Sequence, residues 1–185
     1  MVKDLLTDAE ERMSKTIDSL ETDLRAIRTG RANPHLLDRL TVDYYGVPTP
    51  VNQVAGVSTS EGRMLIIKPW DKTALKGIER AIQESDLGLT PSNDGTIIRL
   101  ILPQLTKERR QDLVRQVGKR AEEARVAVRN IRRDVLKDLE DAQKEGMISE
   151  DELYRARDQV QSLTNEYVEN VDQTAKSKED EIMEI

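Results

Sequence analysis

The chain has 185 residues, of which 35% are charged and 37% hydrophobic, with one Trp, four Tyr, no Phe and no Cys. This composition excludes disulfide-stapled folds and thiolate metal sites, and it is typical of long amphipathic helices. The net charge of −6 argues mildly against a nucleic-acid partner, but the charge is distributed unevenly along the chain.

The first predicted element is a helix over residues 3–29. Its apolar residues recur at steps of three and four, which places them on one face: Leu6, Ala9, Met13, Ile17, Leu20, Leu24 and Ile27. Gly30 follows the last of them, where a left-handed residue often ends a helix. Because the segment has no signal-peptide core and no stretch long enough to span a membrane, we expect a cytoplasmic protein.

A small mixed α/β segment is predicted over residues 30–105, which hold all six Pro and seven of the nine Gly. Four strand-like runs occur in it, at residues 40–45, 51–57, 64–68 and 97–102. Helical spacing is found over residues 72–84, and Val47–Pro50 is expected to form a turn or an extended connection. Trp70 could be a core anchor or an exposed contact; we expect packing, as for Tyr44 and Tyr45.

Two long helices are predicted to follow, the first beginning after Thr106 as an N-cap. Nine apolar residues mark its buried stripe: Leu113, Val117, Ala121, Ala124, Val128, Ile131, Val135, Leu139 and Ala142. Gly146 ends this helix, and Ser149 with Glu152 predicts a capping box that starts the next. Its apolar face is predicted to be Leu153, Ala156, Val160, Leu163, Tyr167, Val171 and Ala175. The highly charged residues 176–185 are expected to fray.

Three helices that are each apolar on one face must bury those faces together. The simplest architecture is an α+β protein in which residues 1–29 and 106–185 form an antiparallel three-helix bundle. Residues 30–105 are then an inserted β/α/β domain. The chain would pass between the domains twice through short segments, whose residues are hinge candidates: Thr29, Gly30, Arg31, Gln104, Leu105 and Thr106.

The chain offers little for catalysis. Its one histidine, His35, follows Pro34 in a loop, which is the usual setting of a solvated surface residue. There is no cysteine nucleophile, and no glycine-rich stretch matches a phosphate-binding loop. We therefore expect a protein that is not an enzyme, with no catalytic residue, no metal site and no cofactor.

Positive charge concentrates in the first of the two long C-terminal helices. Residues 107–133 hold 10 Lys and Arg against 4 Asp and Glu, whereas residues 134–185 hold 6 against 16. Four arginines at helical spacing fan over one side: Arg125, Arg129, Arg132 and Arg133. Arginine suits bidentate phosphate contacts, so the pattern is compatible with RNA binding. A solvated helix face with internal ion pairs explains it equally well. Arg28 and Arg31 add positive charge on either side of Gly30.

Five motifs occur together along the chain. They are Arg28-Thr29-Gly30-Arg31-Ala32-Asn33-Pro34, Tyr44-Tyr45-Gly46 with Pro48 and Pro50, Ser85-Asp86-Leu87-Gly88-Leu89, Leu105-Thr106-Lys107-Glu108-Arg109-Arg110, and Val126-Ala127-Val128-Arg129-Asn130-Ile131-Arg132-Arg133. In order and spacing they resemble the ribosome recycling factor family over essentially the whole chain. The resemblance implies an L-shaped molecule, with the bundle as its long arm and the smaller domain as its short arm.

The resemblance also implies a function and its partners. Members of this family bind the post-termination ribosome at the subunit interface. With elongation factor G, which hydrolyses GTP, they split the subunits and free the messenger RNA. The family's bundle contacts large-subunit ribosomal RNA through basic residues, which match Arg28, Arg31, Arg129 and Arg132 here; helix geometry adds Arg125 and Arg133. The smaller domain is expected to move and to meet elongation factor G, and the protein is expected to be a monomer.

An alternative from another functional class is a helical adaptor protein that binds partner helices and has no RNA role. It predicts an exposed apolar groove and binding that depends weakly on salt. The arginine cluster argues against it, because an adaptor would not require that cluster.

Overall fold

The computed structural model describes residues 1–184 and divides them into two compact units. The helical unit comprises residues 1–28 and 107–184, and the α/β unit comprises residues 29–106. The helices and strands in chain order are α1 (Val2–Arg25), β1 (Thr41–Tyr44), β2 (Val47–Pro50), β3 (Ala55–Ser60), β4 (Met64–Pro69), α2 (Leu75–Glu84), β5 (Pro91–Asn93), β6 (Ile98–Ile101), α3 (Lys107–Lys144) and α4 (Glu150–Met183). Long helices with small antiparallel sheets confirm the predicted α+β class.

The apolar stripe of α3 is buried along its whole length. Its nine buried side chains are those of the predicted stripe, from Leu113 to Ala142. Steps of three and four residues keep these side chains on one side of a 3.6-residue helix, so one continuous seam faces the rest of the unit.

Polar contacts between the three long helices show the directions in which they run. The pairs are Arg12–Asp134 and Arg120–Asp23 between α1 and α3, and Arg125–Asp172 and Arg157–Glu140 between α3 and α4. In each set the residue numbers of one helix rise as those of the other fall. Helix α3 is therefore antiparallel to both of its neighbours, as the predicted bundle requires.

Helix α1 ends earlier than predicted, at Arg25 rather than near residue 29. The amide of Ile27 donates to the carbonyl of Leu24, three residues back, which tightens the last turn and stops the helix. Gly30 is left-handed, with φ +77°, but it lies beyond the helix and does not cap it.

Helix α4 begins as predicted and ends later than predicted. The Ser149 hydroxyl accepts from the Glu152 amide, and the Glu152 side chain accepts from the Ser149 amide, which completes the capping box. The expectation that residues 176–185 fray is wrong for the described part of that segment, because α4 runs to Met183. Ile182 is fully buried, so an apolar contact holds the last turn in spite of its charged neighbours.

The α/β unit is built on a four-stranded antiparallel sheet in the order β3-β4-β6-β5. One face of this sheet packs with α2 into a single apolar core, to which Leu65, Ile67, Ile78, Ile98 and Leu100 belong. Strands β1 and β2 form a separate two-stranded hairpin.

The structure differs in detail from the sequence prediction at three places in this unit. Val47–Pro50 is strand β2, because a two-residue turn with positive φ at Tyr45 and Gly46 folds it back onto β1. The strand expected at residues 51–57 is a 3₁₀ turn, Val51–Gln53, followed by β3. Strand β5 was not predicted, since only three residues pair there.

No helix among residues 1–184 combines the length and the apolar character that crossing a bilayer requires.

Candidate functional site

Four arginines lie within nine residues of α3, and we call Arg125, Arg129, Arg132 and Arg133 the arginine face. They extend over about 12 Å of the helix axis, at 1.5 Å per residue. Val128 and Ile131, which lie between these arginines in the sequence, belong to the buried stripe. The four arginines are not among the buried residues, so they lie beside the stripe or on the outer side of the helix. The four arginines have different hydrogen-bond and ion-pair partners, and these partners indicate different roles.

Arg125 is committed to the contact between α3 and α4. Its Nε donates to Asp172 Oδ1 at 2.8 Å, and its Nη1 donates to Glu122 Oε2 at 2.8 Å. The hydrogen bond to Asp172 raises the pKa of the guanidinium, with partial burial acting in the opposite direction and Glu122 adding to the rise. With its side chain 24% exposed and two carboxylates bound, Arg125 has little capacity left for an external phosphate.

Arg129 is more available than Arg125. Its side chain is 49% exposed, and its partner is Glu122 at 3.7 Å, the same carboxylate that Arg125 holds at 2.8 Å. One carboxylate therefore neutralises two guanidinium groups only in part. A phosphate that approached Arg129 would displace a long contact rather than a short hydrogen bond.

Arg132 and Arg133 also keep positive charge at the surface. Arg132 donates to the neutral amide oxygen of Gln161 at 3.3 Å, which orients the guanidinium without cancelling its charge. Arg133 is 74% exposed and lies 3.8 Å from Asp134, whose other oxygen accepts from Arg12 at 3.1 Å. The arginine face thus consists of one structural arginine and three that can meet an anion.

The two remaining arginines of the predicted RNA site are not part of α3. Arg28 is exposed, three residues after α1 ends. Because α1 is antiparallel to α3 and Asp23 contacts Arg120, Arg28 lies at least about 13 Å along the axis from Arg129. Arg31 is exposed in the α/β unit. Within the helical unit, Arg28 therefore does not belong to the arginine face.

The two predicted hinge segments contact each other inside the α/β unit. A Cβ atom on Gly30 would lie 3.3 Å from Leu105 Cγ and 3.3 Å from the Pro103 carbonyl oxygen. Gly30 has φ +77°, and the neighbouring Thr29 is buried. This position therefore requires glycine for its backbone conformation and has little room for a side chain.

Two aromatic residues expected to pack are exposed. Tyr45 is 76% exposed and Trp70 is 70% exposed, so the packing prediction was wrong for both, whereas Tyr44 packs against the core. The phenols of Tyr44 and Tyr45 both donate to Asp71. The pattern Tyr45-Gly46 between two strand-like runs could have indicated the exposure, because a tight hairpin turn projects its side chains outward.

A groove between α1 and α4 is the feature that the adaptor hypothesis would need. Most of its lining is charged or polar: Thr7, Glu10, Glu11, Ser14, Lys15, Asp18 and Tyr167. Partial burial raises the pKa of Tyr167, and the negative charge of Glu10 adds to the rise. Because charged and polar residues dominate its lining, this groove is not the apolar groove that the adaptor hypothesis predicts.

The structure was also searched for metal ligands. Over the described residues, no group of three or more His, Cys, Asp or Glu side chains is arranged to hold a metal ion. The one histidine, His35, lies at the surface and pairs with Asp38 at 2.9 Å.

Comparison with known proteins gives one family. The sequence model of the family "Ribosome recycling factor" matches residues 20–183. The ribosome-recycling factor of Halalkalibacterium halodurans is 57% identical over 185 residues, and that of Heliobacterium modesticaldum is 54% identical, each alignment covering 100% of both chains.

Two solved structures have the same fold. A solution structure of a ribosome recycling factor is 38% identical, with a TM-score of 0.76, and the match covers 100% of this chain and 98% of that one. The second structure is 48% identical, with a TM-score of 0.64 and 98% coverage of each chain. It is described as models of the T. thermophilus ribosome recycling factor and the E. coli elongation factor G bound to the E. coli post-termination complex.

Proposed function

Because the chain belongs to the ribosome recycling factor family, we propose that it binds the post-termination ribosome and splits its subunits together with elongation factor G. The GTP is hydrolysed by that partner, and this chain acts as a monomer in the cytoplasm without catalysing a reaction itself. The observation that carries the proposal is the arginine face, which presents three under-neutralised guanidinium groups along one helix of an otherwise acidic protein. Ribosomal RNA is the polyanion that such a face suits.

The proposed mechanism divides the work between the two units. Arg129, Arg132 and Arg133 anchor the helical unit to phosphates of the large subunit, while Arg125 keeps α3 and α4 together. Arg28 and Arg31 are proposed as further phosphate contacts. The α/β unit meets elongation factor G, and the segments at residues 29–31 and 104–106 act as the hinge.

The test of the function is subunit splitting itself. Post-termination complexes are mixed with the protein, elongation factor G and GTP, and light scattering follows dissociation. We expect splitting that requires all three components and stops with a non-hydrolysable GTP analogue. Intact complexes after addition of all three components would overturn the proposal.

The hinge proposal predicts the effect of Gly30→Ala. The added Cβ meets Leu105 and the Pro103 carbonyl at 3.3 Å and is strained by the positive φ, so motion of the two segments should be hindered. We expect the splitting rate to fall at least severalfold, while affinity for the large subunit, measured by sedimentation, stays nearly unchanged.

Gly146→Ala is the matched control for the hinge prediction. Gly146 has φ +74°, close to that of Gly30, and a Cβ there meets nothing within 4 Å. The Gly146→Ala variant has a similar backbone strain but gains no close contact, so it should split ribosomes at the wild-type rate. Equal loss of splitting and binding in Gly30→Ala, or equal effects of the two variants, would contradict the hinge.

A further inference from the structure

Aromatic residues are scarce in this chain and are unevenly placed. Three of the five, Tyr44, Tyr45 and Trp70, lie in the α/β unit. The phenols of the two tyrosines are held by Asp71, which also accepts from the Thr73 amide, so these residues stabilise the hairpin. Trp70 is exposed, and exposed aromatic side chains commonly mark recognition surfaces.

The four-stranded sheet has one face that α2 does not cover. Because side chains alternate along a strand, the residues between the buried ones point to this outer face. Its side chains comprise hydroxyls, apolar groups and two cations: Ser58, Ser60, Met64, Ile66, Lys68, Ser92, Arg99 and Ile101. The outer face is thus a mixed polar and apolar platform within the α/β unit.

Trp70 lies at the edge of this platform. Gly56 pairs with Lys68 in the β3–β4 ladder, and a Cβ on Gly56 would lie 3.8 Å from the indole nitrogen of Trp70. Since Gly56 and Lys68 point to the outer face, the indole also lies on that side. Glycine at residue 56 leaves the space beside the ring open.

The fixed charge of the sheet is entirely positive. The four strands contain no Asp or Glu and two basic residues, Lys68 and Arg99, both on the outer face. Arg99 donates to Asp94 at 3.0 Å, so Lys68 is the stronger candidate for an external anion, with Lys72 close to Trp70 in sequence. Asp71 is already occupied by the two phenols and the Thr73 amide.

We propose that the outer sheet face binds single-stranded RNA, with a base stacked on Trp70 and the adjoining phosphate at Lys68. A flat ring beside cations and hydroxyls on an open antiparallel sheet is the arrangement that such RNA requires, because every base has a stackable face. An apolar protein partner would gain nothing from the positive charge. This contact is separate from the arginine face and does not depend on it.

The single tryptophan makes the proposal measurable in the intact protein. Intrinsic fluorescence excited at the indole reports Trp70 alone. Titration with a single-stranded 12-nucleotide oligoadenylate should quench it by stacking, with a midpoint that rises with salt. An oligomer of the same length that carries abasic sites keeps the phosphates but cannot stack, and it should leave the fluorescence nearly unchanged.

Single substitutions test whether Lys68 and Trp70, rather than other residues of the α/β unit, bind the RNA. Lys68→Ala should weaken binding severalfold and lower the salt slope by about 0.7, the value for one contact on a single strand. Lys76→Ala removes an exposed lysine of α2, which packs on the other sheet face, and should have no effect. Trp70→Leu, made in the Arg129→Ala/Arg132→Ala background so that the arginine face does not bind the probe, should lose at least about fivefold in affinity, measured by anisotropy of labelled RNA.

Further results distinguish RNA binding at the outer sheet face from binding at the arginine face and from binding of a protein partner. Arg129→Ala with Arg132→Ala should keep the quenching, which separates this site from the proposed ribosomal anchor. If oligoadenylate and the abasic oligomer act alike, or Lys68→Ala binds like the wild type, the RNA site is refuted. Quenching by elongation factor G alone, indifferent to salt and without any response to RNA, would replace RNA by a protein partner and likewise overturn it.

Discussion

Replacing Arg129 and Arg132 together with alanine is expected to weaken binding to large ribosomal subunits by at least about 100-fold at low salt. Each guanidinium would lose a charge-assisted contact of roughly 1.5–3 kcal/mol. The slope of log affinity against log salt should also fall by about two, because each phosphate contact releases close to one counterion. Sedimentation of the purified protein with large subunits across a salt series measures both quantities.

Two single variants serve as controls for this prediction. Arg155 is an exposed arginine of α4, and helical spacing places it about 100–120° around the helix from Gln161 and Asp172, which contact the arginine face. Arg155→Ala removes the same charge and should leave affinity and salt slope nearly unchanged. Arg125→Ala should reduce stability more than affinity, since it breaks the contact with Asp172. Binding by the double variant that matches the wild type at every salt concentration would remove the anchor from α3.

Ile182→Ala is expected to lower the free energy of unfolding by about 2–4 kcal/mol, the usual cost of truncating a buried aliphatic side chain. Ile182 is fully buried one residue before α4 ends, among charged residues that would otherwise be solvated. Urea unfolding followed by circular dichroism gives the change directly, and the slope of the transition should be retained because the fold is unchanged.

Met183→Ala is the adjacent control for Ile182→Ala. Met183 is exposed at the last residue of α4, so its truncation should change the unfolding free energy by less than about 0.5 kcal/mol. The difference between the two variants tests whether the last turn is part of the folded bundle. Similar small effects for both would indicate that the C-terminal turn opens independently of the rest, as its charge alone had suggested.

The helices could be predicted because their determinants are local. The nine-residue stripe of α3, the capping box at Ser149 and Glu152 and the stop at Gly146 each depend on residues within a few positions of one another. The same locality explains the errors in the α/β unit. A three-residue strand such as β5 exists only because β6 pairs with it, and no local pattern records that partner.

The sequence predicted which arginines lie together on α3, but it did not predict which of them pair with carboxylates of the same protein. Helical spacing alone groups Arg125, Arg129 and Arg132 on one side of α3. Their separation depends on acidic residues far away in sequence or shared between them: Asp172 of α4 binds Arg125, and Glu122 is divided between Arg125 and Arg129. An ion pair between two helices cannot be predicted from the sequence of one of them, because it depends on which residues of the two helices lie side by side.

The sequence by itself determined the three long helices, most of their buried stripes, and the family. Tertiary structure alone decided that the charged end of α4 is held by Ile182, that Trp70 is exposed, and which arginines retain unneutralised charge. The physical reason is the range of the interactions. Helical periodicity and capping act over a few residues, whereas burial and ion pairing are settled by side chains that only the folded chain brings together.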